Sequence, residues 1–248
     1  MKIGKILKKI DKKFKSQKFS EINFNSKKCR NGDVFFAIKG TKKNGNKFIS
    51  EAINKGAKTI ISDLKYEGYK NDVLFLNSNN PRQLLSEFAC KNYKKKPKNL
   101  IAITGTNGKS SIANFFFQIL KLNKKRVASI GTLGIHSNKL NLKTSNTTLD
   151  PITLNKNLQF LSKKNINNVI LEASSHGLKQ HRLDGLKFRT GIFTNLSRDH
   201  LDYHNTYKDY FQSKMILFNN LMKKNAKIIY DEEIKQSKTL KKISEKKK

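Results

Sequence analysis

Lys109 stands within the run Gly105-Thr-Asn-Gly108-Lys109-Ser110-Ser111, small and polar residues with a cation among them. Glycines spaced in this way let backbone N–H groups approach a polyphosphate. The lysine reaches the outer phosphates, and the Ser110 hydroxyl suits Mg²⁺. Such a loop needs a strand before it and a helix after it, since the helix N-terminus adds its positive dipole end. Asn99–Thr104 is an apolar run of strand length, and a helical pattern extends from Lys109 to about Asn123. The general G-x-x-x-x-G-K-[ST] pattern is met imperfectly, because Ile103 takes the first glycine's place. The context favours a nucleotide-binding loop over an ordinary strand–turn–helix connection.

Several further segments give the loop a family context. Thr104-Gly-Thr-Asn-Gly-Lys-Ser-Ser111 resembles the TGTNGKT loop of the Mur ligases and the related folylpolyglutamate synthetases, with serine where threonine is usual. Leu171-Glu-Ala-Ser-Ser-His-Gly-Leu-Lys-Gln-His-Arg182 is similar to the E-x-SSHGL-x-x-HR segment of the MurE branch. Thr194-Asn-Leu-Ser-Arg-Asp-His-Leu-Asp-Tyr-His204 resembles that branch's TNLSRDHLDYH. Ser145-Asn-Thr-Thr-Leu-Asp-Pro151 resembles its NTT-P-DP loop, with Leu149 where proline is common. Nearer the start, Gly32-Asp-Val-Phe-Phe-Ala-Ile-Lys-Gly40 and Phe48-Ile-Ser-Glu-Ala52 resemble its uridine-binding domain. The resemblance runs from about residue 20 to 230.

This resemblance implies an ATP-dependent, Mg²⁺-dependent ligase of bacterial cell-wall synthesis. It would add meso-diaminopimelate or L-lysine to UDP-MurNAc-L-Ala-D-Glu through an acyl phosphate. ATP would meet Gly105, Thr106, Asn107, Gly108, Lys109, Ser110 and Ser111. Glu172, expected at the C-terminal end of a strand where such folds bind ligands, offers a hard oxygen for Mg²⁺; Ser110 and His200 would share the metal. Lys214 stands where the family carries a carbamylated lysine, a modification that needs a neutral amine and therefore burial. Lys109, Glu172, His200 and Lys214 form the implied catalytic set.

Substrate contacts carry over by position. Phe24, Ser26, Thr41, Lys42 and Lys43 would meet the UDP end. Asn146, Thr147, Thr148, Ser174, Gln180 and Arg182 would meet the muramoyl-peptide, Arg182 offering a cationic fork for a carboxylate or phosphate. One departure is that the family's D-S-R appears as Asn25-Ser26-Lys27.

Positioning these residues requires two α/β units. In residues 1–95, strand candidates Val34–Ile38, Lys58–Ser62 and Val73–Leu76 alternate with helical segments Lys47–Lys55 and Pro81–Asn92. The run Tyr93-Lys-Lys-Lys-Pro97 reads as a linker. In residues 96–248, strand candidates Arg126–Ile130, Asn168–Glu172, Gly191–Thr194 and Ala226–Tyr230 follow the phosphate loop, with helices between. This alternation predicts a doubly wound, mostly parallel sheet. The N-terminal MKIGKILKKIDKKF suggests a short amphipathic helix, and the lysine-heavy stretch after Glu232 suggests weak order. The resemblance also implies a C-terminal amino-acid-binding domain beyond this chain, an incomplete central domain and weak or no ligation by the chain alone.

Composition bounds the alternatives. The net charge of +34 invites a nucleic-acid reading, but the charge is spread along the chain and carried by lysine, with only six arginines. Arginine's fork is the usual tool of base and phosphate recognition, so a solvated surface is favoured over a specific nucleic-acid face. No apolar run approaches the roughly 20 residues a membrane span needs. Cys29 and Cys90 form no CxxC pair, which suits reduced, cytosolic thiols; the chain is expected to be a cytoplasmic monomer. A generic phosphate-loop NTPase would not need the SSHGL and SRDHLDYH segments. MurF and folylpolyglutamate synthetase remain the nearer alternatives.

Overall fold

The computed structural model describes residues 1–40, 43–144, 146–200 and 202–247. The chain divides into two compact units, Met1–Asn92 and Tyr93–Lys248.

The first unit has one five-stranded sheet. Its strands are β1 (Ile22–Asn23), β2 (Val34–Phe36), β3 (Thr59–Ser62), β4 (Gly68–Lys70) and β5 (Val73–Asn77), in the order β1-β2-β3-β5-β4. All neighbours are parallel except β4, which turns back against β5. The helices are α1 (Ile49–Asn54) and α2 (Pro81–Asn92). Every residue of β2 and β3 is buried, as expected of parallel strands covered on both faces. Phe35, Ala52, Ile60 and Val73 form part of one core cluster.

The N-terminal segment departs from the amphipathic-helix expectation. It forms two single 3₁₀ turns, Ile3–Lys5 and Lys12–Phe14. Ile3 and Gly4 N–H groups donate to the carbonyls of Gln17 and Lys15, and Phe19 N–H to Met1. Those long-range bonds tie the segment to residues 15–19 in place of a helical ladder, while Ile3, Ile6 and Phe14 fill the core.

The second unit has a seven-stranded sheet built from β6 (Asn99–Thr104), β7 (Val127–Gly131), β8 (Gly134–Ser137), β9 (Asn141–Leu142), β10 (Asn168–Glu172), β11 (Phe188–Phe193) and β12 (Met222–Tyr230). Its order is β12-β11-β6-β10-β7-β8-β9, parallel from β12 to β7 and antiparallel for β8 and β9. The connecting helices are α3 (Lys109–Leu122), α4 (Pro151–Lys163), α5 (Ser175–Lys179), α6 (Tyr207–Asn220) and α7 (Ser237–Glu245). The fold is α/β and mostly parallel, as the alternation predicts. The chain builds β7 and β10 on one side of β6 and then crosses to β11 on the other. Parallel sheets bind ligands at the carboxyl ends of strands flanking such a switch.

Helix α7 corrects the expectation of a weakly ordered tail. Leu240 is fully buried, and α7 packs on β12 and α6. Its spacing to Ile243 gives a narrow apolar stripe that the surrounding lysines mask in composition.

Candidate functional site

A cavity of about 430 Å³ opens at the carboxyl end of the parallel strands of the second unit. Its floor is the loop after β6. Gly105 has φ +151°, and a Cβ there would lie 1.8 Å from Thr194 Oγ1, so only glycine fits. Gly108 takes φ +82° as the residue before α3.

The segment after β11 braces this loop from behind. Thr106 N–H donates to Asn195 O at 3.0 Å, Asn107 N–H to Asn195 Oδ1 at 2.9 Å, and Thr194 Oγ1 to Asn107 O at 2.7 Å. The hydroxyls of Thr106 and Tyr210 lie 3.1 Å apart. Thus the TNLSRDH segment holds the phosphate loop in shape.

Lys109 Nζ donates to the carbonyls of Gly105 and Thr106 at 3.0 and 2.6 Å. Burial pulls its pKa down, opposed by the attraction of Glu172 and Asp199. Ser110, one residue into α3, donates to Glu172 Oε2 at 2.9 Å. Glu172 ends β10 and is 2 % exposed. Its Oε1 accepts the Thr132 N–H at 2.9 Å, and its Oε2 accepts the Thr132 hydroxyl at 3.2 Å. Three donated hydrogen bonds thus hold this buried carboxylate in one orientation.

Lys214, on α6, is 1 % exposed. Its Nζ donates to Gly105 O at 2.7 Å and lies 4.2 Å from the Tyr210 ring centre. Burial, then repulsion from Lys109, lowers its pKa to about 7. His200 is half exposed on the cavity wall with φ +53°. Its ring meets His176 edge-on at 5.0 Å and Tyr210 at 6.1 Å.

The opposite wall comes from the loop before α4 and the turn into α5. Thr148 Oγ1 donates to Glu172 O at 2.9 Å and accepts the Ser174 N–H at 2.9 Å. Ser174 Oγ caps α5 by accepting the Gly177 N–H. Arg182 Nη1 donates to Thr148 O at 2.6 Å, and Arg182 Nη2 to Gln180 Oε1 at 2.9 Å. Thr147 Oγ1 lies 3.0 Å from Thr132 Oγ1. Asn146, Thr147, Thr148, Ser174, Gln180 and Arg182 therefore line one wall of the same cavity as Lys109, Ser110, Glu172, His200 and Lys214.

The remaining candidates belong to the first unit. Ser26 is buried and donates to Glu51 Oε2 at 2.6 Å. Asn25 Oδ1 accepts the Lys27 N–H and so caps the 3₁₀ turn Ser26–Lys28. Phe24 is 44 % exposed, a large aromatic face open to solvent. Lys43 lies over the Phe48 ring at 6.0 Å. Thr41 and Lys42 lie outside the described residues, as do Ser145 and Leu201 of the quoted motifs.

The sequence reading missed Thr132, Ser175, His176 and His204. His204 is fully buried, with Nε2 3.0 Å from Ser175 Oγ and Nδ1 3.5 Å from Asp209 Oδ2. His176 stacks on Tyr203 at 3.9 Å. The His-rich SSH and DYH segments held this signal, whereas nothing in sequence sets Thr132 apart from the chain's other threonines.

The donor set suits a hard cation. Among the described residues no three His, Cys, Asp or Glu side chains converge as a cage. Mg²⁺ typically takes one or two carboxylates, a hydroxyl and phosphate oxygens, and keeps several waters. Glu172 with Ser110 meets that requirement, and no membrane-crossing helix occurs among the described residues.

Residues 103–248 match the Mur ligase middle domain, and residues 18–93 match the Mur ligase family catalytic domain. A UDP-N-acetylmuramoyl-L-alanyl-D-glutamate--2,6-diaminopimelate ligase of Rickettsia montanensis is 40 % identical over 227 residues, covering 90 % of this chain and 47 % of the relative. The protein of that name from Buchnera aphidicola is 40 % identical over 239 residues, covering 93 % and 48 %. A solved structure of a ligase of that name superposes with TM-score 0.84 at 29 % identity, over 99 % of this chain and 50 % of that one. A MurF ligase from Thermotoga maritima shares the fold, with TM-score 0.61 at 22 % identity, over 93 % and 48 %. The chain spans about half the length of the curated relatives it matches.

Proposed function

Because the chain belongs to the Mur ligase family, we propose that it is the nucleotide- and precursor-binding part of an ATP-dependent ligase that extends UDP-MurNAc-L-Ala-D-Glu in the cytoplasm. The observation that carries this reading is the convergence of Lys109, Ser110, Glu172 and Lys214 with the Asn146–Thr148 and Ser174–Arg182 segments on one cavity. The names of the relatives support 2,6-diaminopimelate as the incoming amino acid.

In this reading the loop N–H groups and Lys109 hold the ATP phosphates. The D-Glu carboxylate attacks the γ-phosphorus, ADP leaves, and an acyl phosphate forms on the substrate. The incoming amine then displaces phosphate, closing the amide and losing a proton. Lys109 stabilises charge as it shifts toward the leaving phosphate. Bound Mg²⁺ would neutralise phosphate charge, held by Ser110 and Glu172, with His200 and Lys214 on the same cavity wall. Arg182 and Gln180, locked together, orient the muramoyl-peptide, while Phe24 and Ser26 receive the uridine end.

Lys214 fits a carbamate. With its pKa near 7, much of the amine is neutral at cytoplasmic pH and able to add CO₂, becoming a carboxylate on a long arm. Incubation with ¹³C-bicarbonate should give one carbamate resonance that Lys214→Met removes.

Calorimetric titration of the chain with UDP-MurNAc-L-Ala-D-Glu, with and without an ATP analogue and Mg²⁺, tests the reading. One-to-one saturable binding is expected. A folded chain that binds neither ligand overturns it.

A further inference from the structure

We propose that Thr132 is a positioning residue that ties the metal-facing carboxylate to the precursor-facing loop, so that nucleotide and precursor bind cooperatively. This deepens the ligase reading and rests on it.

The argument turns on where each proton goes. An ionised carboxylate only accepts, so the Thr132 hydroxyl, 3.2 Å from Glu172 Oε2, donates its one proton there. The Thr132 N–H donates to the other oxygen, Oε1, at 2.9 Å. One residue thereby fixes both carboxylate oxygens. With its proton committed, Thr132 Oγ1 can only accept from Thr147, so the 3.0 Å contact runs from Thr147 to Thr132. Ser110 donates to Glu172 Oε2 from the other side at 2.9 Å. The result is a directed chain, Thr147 to Thr132 to Glu172, met by Ser110.

Two further bonds tie the precursor-facing loop to this region through backbone atoms. Thr144 Oγ1 donates to Gly131 O at 3.0 Å, and Thr148 Oγ1 to Glu172 O at 2.9 Å. Those bonds anchor the loop but do not touch the carboxylate. The Thr132 hydroxyl reaches it. A cation that fixes Glu172 leaves Thr132 and Thr147 already ordered for the precursor, so the cost of ordering this chain is met once for both ligands. The Thr147 oxygen, its proton turned inward, then keeps its lone pairs for an N–H or O–H donor on the precursor. By linkage, each ligand favours the other by the same factor.

Thr132 is exposed and lies outside the packed core, so replacing its hydroxyl by a methyl should leave the fold intact; a thermal melt checks this, and Thr132→Ala removes the same hydroxyl with less bulk. The experiment is calorimetry with UDP-MurNAc-L-Ala-D-Glu and with Mg²⁺ plus a non-hydrolysable ATP analogue, each alone and in the presence of the other. In the unmodified chain each ligand should tighten the other about fivefold or more. Thr132→Val and Thr132→Ala should bring that factor close to one, and Thr132→Ser should restore it. Unchanged coupling in the valine and alanine variants, or independent binding of both ligands by the unmodified chain, overturns the proposal. If the unmodified chain binds neither ligand, the ligase reading itself falls.

Discussion

Gly131 and Glu172 occupy one space: a Cβ at residue 131 would lie 2.0 Å from Glu172 Oε1. The end of β7 thus accepts the carboxylate only because Gly131 carries a hydrogen there. Gly131→Ala should push the Glu172 side chain off its Thr132 and Ser110 donors. A stability loss of about 1–3 kcal/mol is expected from the overpacking, with Mg²⁺-dependent nucleotide affinity falling in parallel. Denaturant unfolding and calorimetry read the two effects separately. An alanine variant with unchanged metal dependence would detach Glu172 from the cation.

Lys109→Ala removes the ammonium that the loop carbonyls of Gly105 and Thr106 hold in place. Charge-assisted bonds to phosphate contribute about 1.5–3 kcal/mol each, so affinity for an ATP analogue should drop on the order of 10- to 100-fold. UDP-precursor affinity measured without nucleotide should change little. Equal binding of the analogue by variant and parent would remove Lys109 from phosphate recognition.

Lys214 makes stability depend on pH. Its folded-state pKa of about 7 lies below the ordinary lysine value of 10.5, so between those values the unfolded chain binds the extra proton. Stability therefore rises with pH across that window, and below it the full penalty of the buried ammonium is present. Lys214→Met, which removes the charge but keeps the bulk, should raise the melting temperature more at pH 6 than at pH 9. A gain independent of pH would show that burial leaves the Lys214 pKa where it stands in the unfolded chain.

Leu240→Ala tests whether α7 belongs to the fold. Leu240 is fully buried on a helix that packs against β12 and α6. Truncating such a side chain costs about 2–5 kcal/mol. Global unfolding should shift by that amount, whereas fraying of the last residues alone would leave the main transition where it was.

What could be read from the sequence follows from how local each signal is. The phosphate loop combines a strand, glycines and a helix within a dozen residues, and β6 and α3 lie where that pattern puts them. Glu172 follows three apolar residues, Val169, Ile170 and Leu171, so its strand-end position is legible too. Thr132 carries no such mark, because its importance arises only when β7 lies beside β10 in the sheet. The N-terminal turns escaped for a similar reason: their donors go to residues 15–17, a pairing no helical periodicity encodes. In α7 the charge pattern hid a single buried leucine.

Strand β12 ends the seven-stranded sheet and carries Ile229, 52 % exposed, beside lysines 223, 224 and 227. A long edge strand is a template for another chain, and lysines along it act as electrostatic guards. Their range shrinks as salt rises, from about 10 Å at 0.1 M to about 3 Å at 1 M. Concentrated salt therefore removes most of the repulsion these lysines would offer to a second copy, which makes ionic strength the variable to hold fixed whenever this strand is handled.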